Sequence, residues 1–192
     1  MRFAGLILSA LLLGALASCG GSTRYYKLAY TPGQADPLPQ AKSAPAVIVH
    51  TFQDTRADRA LGKASNYGGH VFFIIGTQDD IPGWVTNALA TELGRAGCRA
   101  SVQASDQPGA CVVRGAISEL DCSGILTTMR VTVQVVRDGT ILLNRSFAST
   151  GEGFMTGAPV YFVNYTKLYD VTLQNLMKEI VPQVLPVLDR AP

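Results

Sequence analysis

The residues that most directly specify chemistry are Leu16-Ala17-Ser18-Cys19, which close an apolar run from Phe3 to Leu16 that begins just after Arg2. Small side chains before the cysteine let such a segment thread a signal peptidase. The Cys19 thiolate is then the nucleophile that takes a diacylglycerol. Cleavage makes Cys19 the first residue of the mature chain, acylated on sulfur and on its amine. The run is shorter than the roughly 20 apolar residues a membrane-spanning helix needs, so it reads as a removable signal. About two lipid chains suffice for lasting attachment. The expectation is a lipid at Cys19, with the membrane as the chain's first partner.

The next polar cluster is Asp54-Thr55-Arg56-Ala57-Asp58-Arg59. Arg56 and Arg59 can engage an anionic group such as a lipid head or a partner carboxylate. Alternatively Asp54 caps the loop through backbone N–H groups while Arg56 pairs with it. The structural role is the default, with Asp54, Arg56 and Arg59 kept as candidate partner-binding residues.

Catalytic constellations are missing. Of the two histidines, His50 sits in a buried-looking strand and His70 at a turn, and neither has a helical His-Glu pairing, so no metal site is expected. There is no GxSxG elbow, no phosphate loop and no CxxC. Gly151-Glu152-Gly153 followed by Gly157 misses the dinucleotide pattern by one position, and a loop that uses glycine's freedom is expected there. The expectation is a protein without catalytic residues or cofactor, not an enzyme.

An export signal implies an oxidising compartment. Apart from Cys19 the cysteines are Cys98, Cys111 and Cys122, an odd number. Cys111 and Cys122 fall at opposite ends of one expected strand, too far apart to bridge. Cys98 with either partner, or no disulfide, remains.

These groups must be positioned by a modest scaffold. A chain of 192 residues with a formal charge of +2 and no basic run suits one domain and gives no reason to expect nucleic acid. Residues 1–18 read as the signal peptide, 19–45 as a lipidated N-terminus and flexible tether, and 46–192 as the folded domain. Gly20-Gly21-Ser22-Thr23 is flexible, and Pro32, Pro37, Pro39 and Pro45 oppose regular structure. Fully extended, 20–45 spans roughly 90 Å. Within it Tyr25-Tyr26-Lys27-Leu28 is more apolar than a spacer requires. It reads as a segment docking on the domain or, through Tyr25 and Tyr26, as a partner contact. Gly20 rather than Asp after the lipid permits outer-membrane sorting in an enterobacterial-type envelope.

Within the domain, Ala46–Phe52 lacks a clean polar face and reads as a central strand covered on both sides. Gln53–Lys63 reads as a charged loop, Asn66–Gly69 as a turn and Val71–Ile75 as an apolar strand. A helix follows, capped by Asp80, with Pro82 in its first turn, Gly97 at its end, and a stripe of Ile81, Val85, Ala88/Leu89 and Leu93. Cys98–Gln103 reads as a short strand. Residues 111–149 alternate as an antiparallel meander, Met129, Val131, Val133 and Val135 against Thr128, Arg130, Thr132 and Gln134. Its hairpin at Asp138-Gly139 is expected to loop three residues, Arg137-Asp138-Gly139, pairing Val135 with Ile141. Val163–Leu188 reads as a helix that kinks or ends near Glu179, before Pro182 and Pro186. The fold class is α+β: a mainly antiparallel sheet with about two helices packed on it.

Several of these pieces together resemble the YajG-like family of bacterial envelope lipoproteins. They are the lipobox, the strand entering Phe52-Gln53-Asp54-Thr55-Arg56, Leu61-Gly62-Lys63, the helix Val85–Gly97, the meander with Val131–Val136 and a C-terminal helix. The resemblance covers most of 46–185. It implies an α+β domain and no catalytic residues, and it carries over only the Cys19 lipid. Arg24-Tyr25-Tyr26-Lys27-Leu28 is also similar to the opening of auxiliary lipoproteins of envelope ABC transporters, which serve lipid trafficking. The proline-and-aspartate motif that follows the first strand in those proteins is missing. The expectation is a lipid-anchored, periplasm-facing binding or scaffold module of the outer membrane. Its partners would be the membrane, another envelope protein and a second copy of itself.

Overall fold

The computed structural model describes residues 22–33, 38–65, 71–153 and 163–190. In chain order its elements are β1 (Ser22–Tyr25), β2 (Ala46–Val49), β3 (Gln53–Asp54), β4 (Gly62–Ser65), β5 (Val71–Gly76), α1 (Ile81–Arg95), β6 (Arg99–Val102), β7 (Cys111–Ser123), β8 (Leu126–Arg137), β9 (Thr140–Glu152) and α2 (Tyr165–Arg190).

β7 is the strand on which the others assemble. One edge pairs antiparallel with β8, which pairs antiparallel with β9. Along the other edge β2, β3 and β4 dock in succession, each parallel, opposite Val112, Ala116 and Ser123. β2 continues outward to β6, and β4 continues to β5 and then β1. The result is a mixed, mostly antiparallel sheet of nine strands in an α+β fold.

Both helices cover one face of this sheet, and one apolar cluster joins them to it. Met129, Val131, Val133 and Val135 are fully buried beneath them, as the alternation in β8 requires. The opposite face carries only a small cluster in which Ile48, Ala110 and Val112 pack together, so β2 is covered on both sides. Phe52 leaves the expected strand: its backbone N–H donates to Thr86 Oγ1 at 3.0 Å and its ring lies over Gly115. A Cβ on Gly115 would stand 2.2 Å from that ring.

In α1 the expected stripe is buried and Pro82 stands in the first turn. Asp80 holds the N-cap position, but its side chain makes no capping bond; only its carbonyl accepts, from Trp84 N–H. Gly97 leaves the helix at φ +89°.

Four further expectations are corrected. First, of the two alternatives for α2, a kink or an end near Glu179, the end is corrected: the helix runs through Pro182 and Pro186 to Arg190. Ile180, Val181, Val184, Leu185 and Leu188 are buried around the prolines. Each such side chain contributes about 1.5–3 kcal/mol, and together they offset interior prolines at about 3 kcal/mol each. Second, the β8–β9 turn has two residues, Asp138 and Gly139, at φ 47° and 77°, as a type I′ hairpin requires. A bulge between Val135 and Val136 then sets the register, pairing Val135 with Leu143 and Val136 with Ile141. Third, Gly151 lies inside β9 rather than in a loop. A Cβ there would stand 2.2 Å from Thr172 Oγ1, so its role is close approach of α2.

The fourth correction concerns residues 20–45. Where described, this segment is no free tether but a strap laid along α1 and α2. Leu28 N–H donates to Asp79, Thr31 N–H to Asp170 at 2.9 Å, Ala41 N–H to the Ala96 carbonyl at 2.7 Å and Lys42 N–H to Asp189 at 2.9 Å. Ser22–Tyr25 form β1; beyond it the strap has no regular structure, and the Asp79, Asp170 and Asp189 side chains and the Ala96 carbonyl satisfy its backbone instead. Asn66–Gly69 and His70 lie outside the described residues.

Cys98, Cys111 and Cys122 are buried free thiols. Cys98 precedes β6 and Cys111 opens β7, on opposite sides of β2. Strands that flank a common neighbour are roughly 9.5 Å apart, beyond disulfide reach. Burial pushes the Cys98 thiol up to about 11 and raises Cys111 and Cys122 as well.

Candidate functional site

β3 sets Asp54 against β7, and the loop that follows folds Arg56 back onto it. Arg56 Nε donates to Asp54 Oδ1 and Nη2 to Oδ2, each at 2.9 Å, a two-pronged fit of guanidinium to carboxylate. Arg56 Nη1 donates to the Ala60 carbonyl at 3.1 Å and the Leu120 carbonyl at 3.3 Å. The Arg56 hydrogen bonds, chiefly the side-chain one, hold the Asp54 carboxyl down to about 2. Arg56 is buried and committed to β7, so an incoming anion would have to displace the Asp54 carboxylate. Arg59 differs: it reaches Asp54 Oδ2 at 2.6 Å while its side chain stays 70% exposed. Of this cluster, Arg59 alone presents a cation outward.

Tyr25 and Tyr26 are adjacent in sequence but part ways in the fold. Tyr25 closes edge strand β1 and is 62% exposed. Tyr26 turns inward, its ring centroid 5.0 Å from that of Tyr165, which meets Phe73 edge-on. Tyr26 is therefore a packing residue, and Tyr25 is free to meet a partner.

Past these two tyrosines the strap encloses a polar group that sequence reading missed. Tyr30 OH donates to Glu92 Oε1 at 2.5 Å, and Arg95 Nη1 donates to both Glu92 oxygens at 2.9 Å. Arg95 Nη2 then donates to the Gly33 carbonyl at 2.9 Å. Burial, and next the Glu92 bond, raise the Tyr30 hydroxyl far above the ordinary tyrosine range. The signal was present in the sequence: Glu92 stands beside Leu89 and Leu93 on the apolar side of α1. A buried acid there needs a partner.

Two surface depressions accompany these features. One, of about 420 Å³, lies between the strap and the start of α1 and is lined by Leu28, Tyr30, Asp79, Trp84 and Asn87. The other, of about 270 Å³, is on the helix-free face among His50, Gln53, Arg114, Thr132, Gln134 and Asn144. Asp106 joins two of its walls, 2.8 Å from Arg114 and 2.9 Å from His50 Nε2, the latter off the line of a hydrogen bond. Among the described residues no three His, Cys, Asp or Glu side chains converge on a metal position, and no helix is long and apolar enough to cross a membrane.

No protein-family model matches the chain, and no curated protein matches it in sequence. Solved structures do match in three dimensions. Protein XCC0632 from Xanthomonas campestris, described under the family model DUF330, superposes with a TM-score of 0.57 at 14% identity, over 86% of this chain and 96% of that one. This chain shares its fold. A second structure, of an uncharacterized protein, superposes at 0.53 with 10% identity over 86% of this chain and 97% of that one. At such identities the likeness extends to architecture and not to any site. The hypothetical protein CT253 from Chlamydia trachomatis is more distant, with a TM-score of 0.47 at 11% identity over 75% of this chain and 98% of that one.

Proposed function

We propose that this chain is a cell-envelope lipoprotein, anchored through Cys19 to the outer membrane and facing the periplasm, that works as a non-enzymatic binding or scaffold module. The observation that carries this reading is the placement of β1. Gly20 and Gly21 alone separate Cys19 from Ser22, the first residue of the sheet. A segment that continues from the lipobox directly into an edge strand and a bonded strap suits a domain held close to its anchor. The test is mass spectrometry of the N-terminal peptide from membranes, followed by fractionation. A diacylated Cys19 in the outer-membrane fraction is expected, and a Cys19→Ser chain should leave that fraction. An intact residue 1–18 segment, or an inner-membrane location, would overturn the reading.

A second reading is favoured by Tyr25. Within the Arg24–Leu28 opening, which resembles that of transporter auxiliary lipoproteins, Tyr25 is the outward-facing tyrosine and lies on an open strand edge. An envelope ABC permease or substrate-binding subunit would be its partner. Photo-crosslinking from position 25 in intact cells separates the two. Capture of such a subunit supports transport; capture of other outer-membrane proteins, or of this chain alone, supports the scaffold.

A further inference from the structure

We infer that one end of the sheet is a membrane-docking surface, and that the domain stands on the bilayer with its long β-strands pointing away from it. The inference rests on acylation of Cys19.

The register fixes which end this is. Ser22 pairs with Phe73, so β1 enters the sheet where β5 begins. Val71 pairs with Ser65 at the close of β4, and Lys63 pairs with Ser123 at the close of β7. Across the β7–β8 turn Ser123 pairs with Leu126, which pairs with Glu152 at the close of β9. The Tyr165 hydroxyl at the start of α2 donates to the Gly124 carbonyl in that turn. The entry of β1, the start of β5, the β7–β8 turn and the start of α2 therefore share one end.

Two large apolar side chains are exposed there, Val71 at 40% and Leu126 at 46%. The acylated cysteine must be there too. Cys19 is three Cα steps from Ser22, at most about 11 Å. A lipid inserted in the bilayer therefore holds this end at the surface. Pairing of Ser22–Tyr25 with β5 removes the slack that a free 20–45 tether would supply. A bilayer surface is the occupant that an anchor of this length brings to the patch. The β8–β9 hairpin, with Ile141 56% exposed, marks the opposite end. It lies roughly 35 Å away along β8 at about 3.3 Å per residue.

The experiment uses the full-length acylated protein in phospholipid vesicles that contain a nitroxide-labelled lipid. Cys98, Cys111 and Cys122 are buried, so one introduced surface cysteine can be labelled selectively with a small fluorophore. Probes at Leu126→Cys and Val71→Cys should be quenched several-fold more strongly than a probe at Ile141→Cys. Equal quenching at the two ends, or stronger quenching at Ile141, overturns the inference. Should either apolar variant fail to fold, Lys63→Cys reports on the same end from an exposed position. The mass of the Cys19 peptide is measured on the same vesicles. An acylated protein with no difference between ends overturns only this inference; an unacylated Cys19 overturns the functional reading beneath it as well.

Discussion

The Tyr30 hydroxyl lies 2.5 Å from Glu92 Oε1, and this bond joins the N-terminal strap to α1 across 62 residues of chain. Glu92 is 2% exposed and shares its charge between Tyr30 and Arg95. Tyr30→Phe removes the donor without removing the ring. It should cost about 1.5–3 kcal/mol, the range for a hydrogen bond to a charged group. Hydrogen exchange should quicken across Leu28–Gly33 before the rest of the domain opens. Uniform exchange with no change at the strap would show that Tyr30 does not hold it.

Asp54 and Arg56 form a buried pair, and breaking it by removing one partner leaves the other charge uncompensated. Arg56→Ala should cost about 3–5 kcal/mol in urea denaturation. Arg56→Lys should rescue only part of this, because an ammonium cannot reproduce the two-pronged contact. Arg59→Ala should change stability by at most about 1 kcal/mol, since its side chain is mostly in solvent. A partner that reads this loop would lose affinity in Arg59→Ala while the fold stays intact.

The same pair sets an acid limit. The folded Asp54 carboxyl sits at about 2, below its ordinary 3.8. A depressed carboxyl contributes stability above its unfolded value and loses it as pH falls through the folded one. Roughly 2 kcal/mol should therefore disappear between about pH 4 and pH 2. Asp54→Asn should flatten this window in a pH series of unfolding free energies. An unchanged slope would remove Asp54 from the account.

Gly115→Ala places a methyl group into the Phe52 ring and should destabilise by about 1–3 kcal/mol through overpacking. Phe52→Leu in the same chain should recover part of that loss, a coupling visible in a double-mutant cycle. Simple additivity would mean that the two residues do not meet.

The thiols give a chemical readout. Cys98, Cys111 and Cys122 are buried and unbridged, so a thiol reagent should react slowly with the native protein and quickly in denaturant. Prior reduction should change neither rate. A fourth thiol in denaturant would show that Cys19 carries no lipid.

Much of the architecture was legible because periodicity reports burial. The meander, α1 and the central position of β2 follow from apolar spacing, which depends only on which side chains must leave water. The expectation of a lipid at Cys19 is similarly local, since it rests only on an apolar run and small residues immediately before a cysteine. Other features depended on distant partners. Ile180, Val181, Val184, Leu185 and Leu188 keep helical spacing across Pro182 and Pro186, but only their burial decides that α2 continues against the cost of the prolines. The hairpin register depended on a bulge, which relocates one residue without changing the composition of either strand. Arg56 and Arg59 look equivalent in sequence; packing against Leu120 and Ala60 buried one and left the other in water. The strap is the clearest case. Beyond β1 its prolines opposed regular structure, while Asp79, Glu92, Asp170 and Asp189, far along the chain, decided that it would be held. Local sequence encodes the conformations a segment can adopt, and tertiary contacts select among them by satisfying its backbone groups.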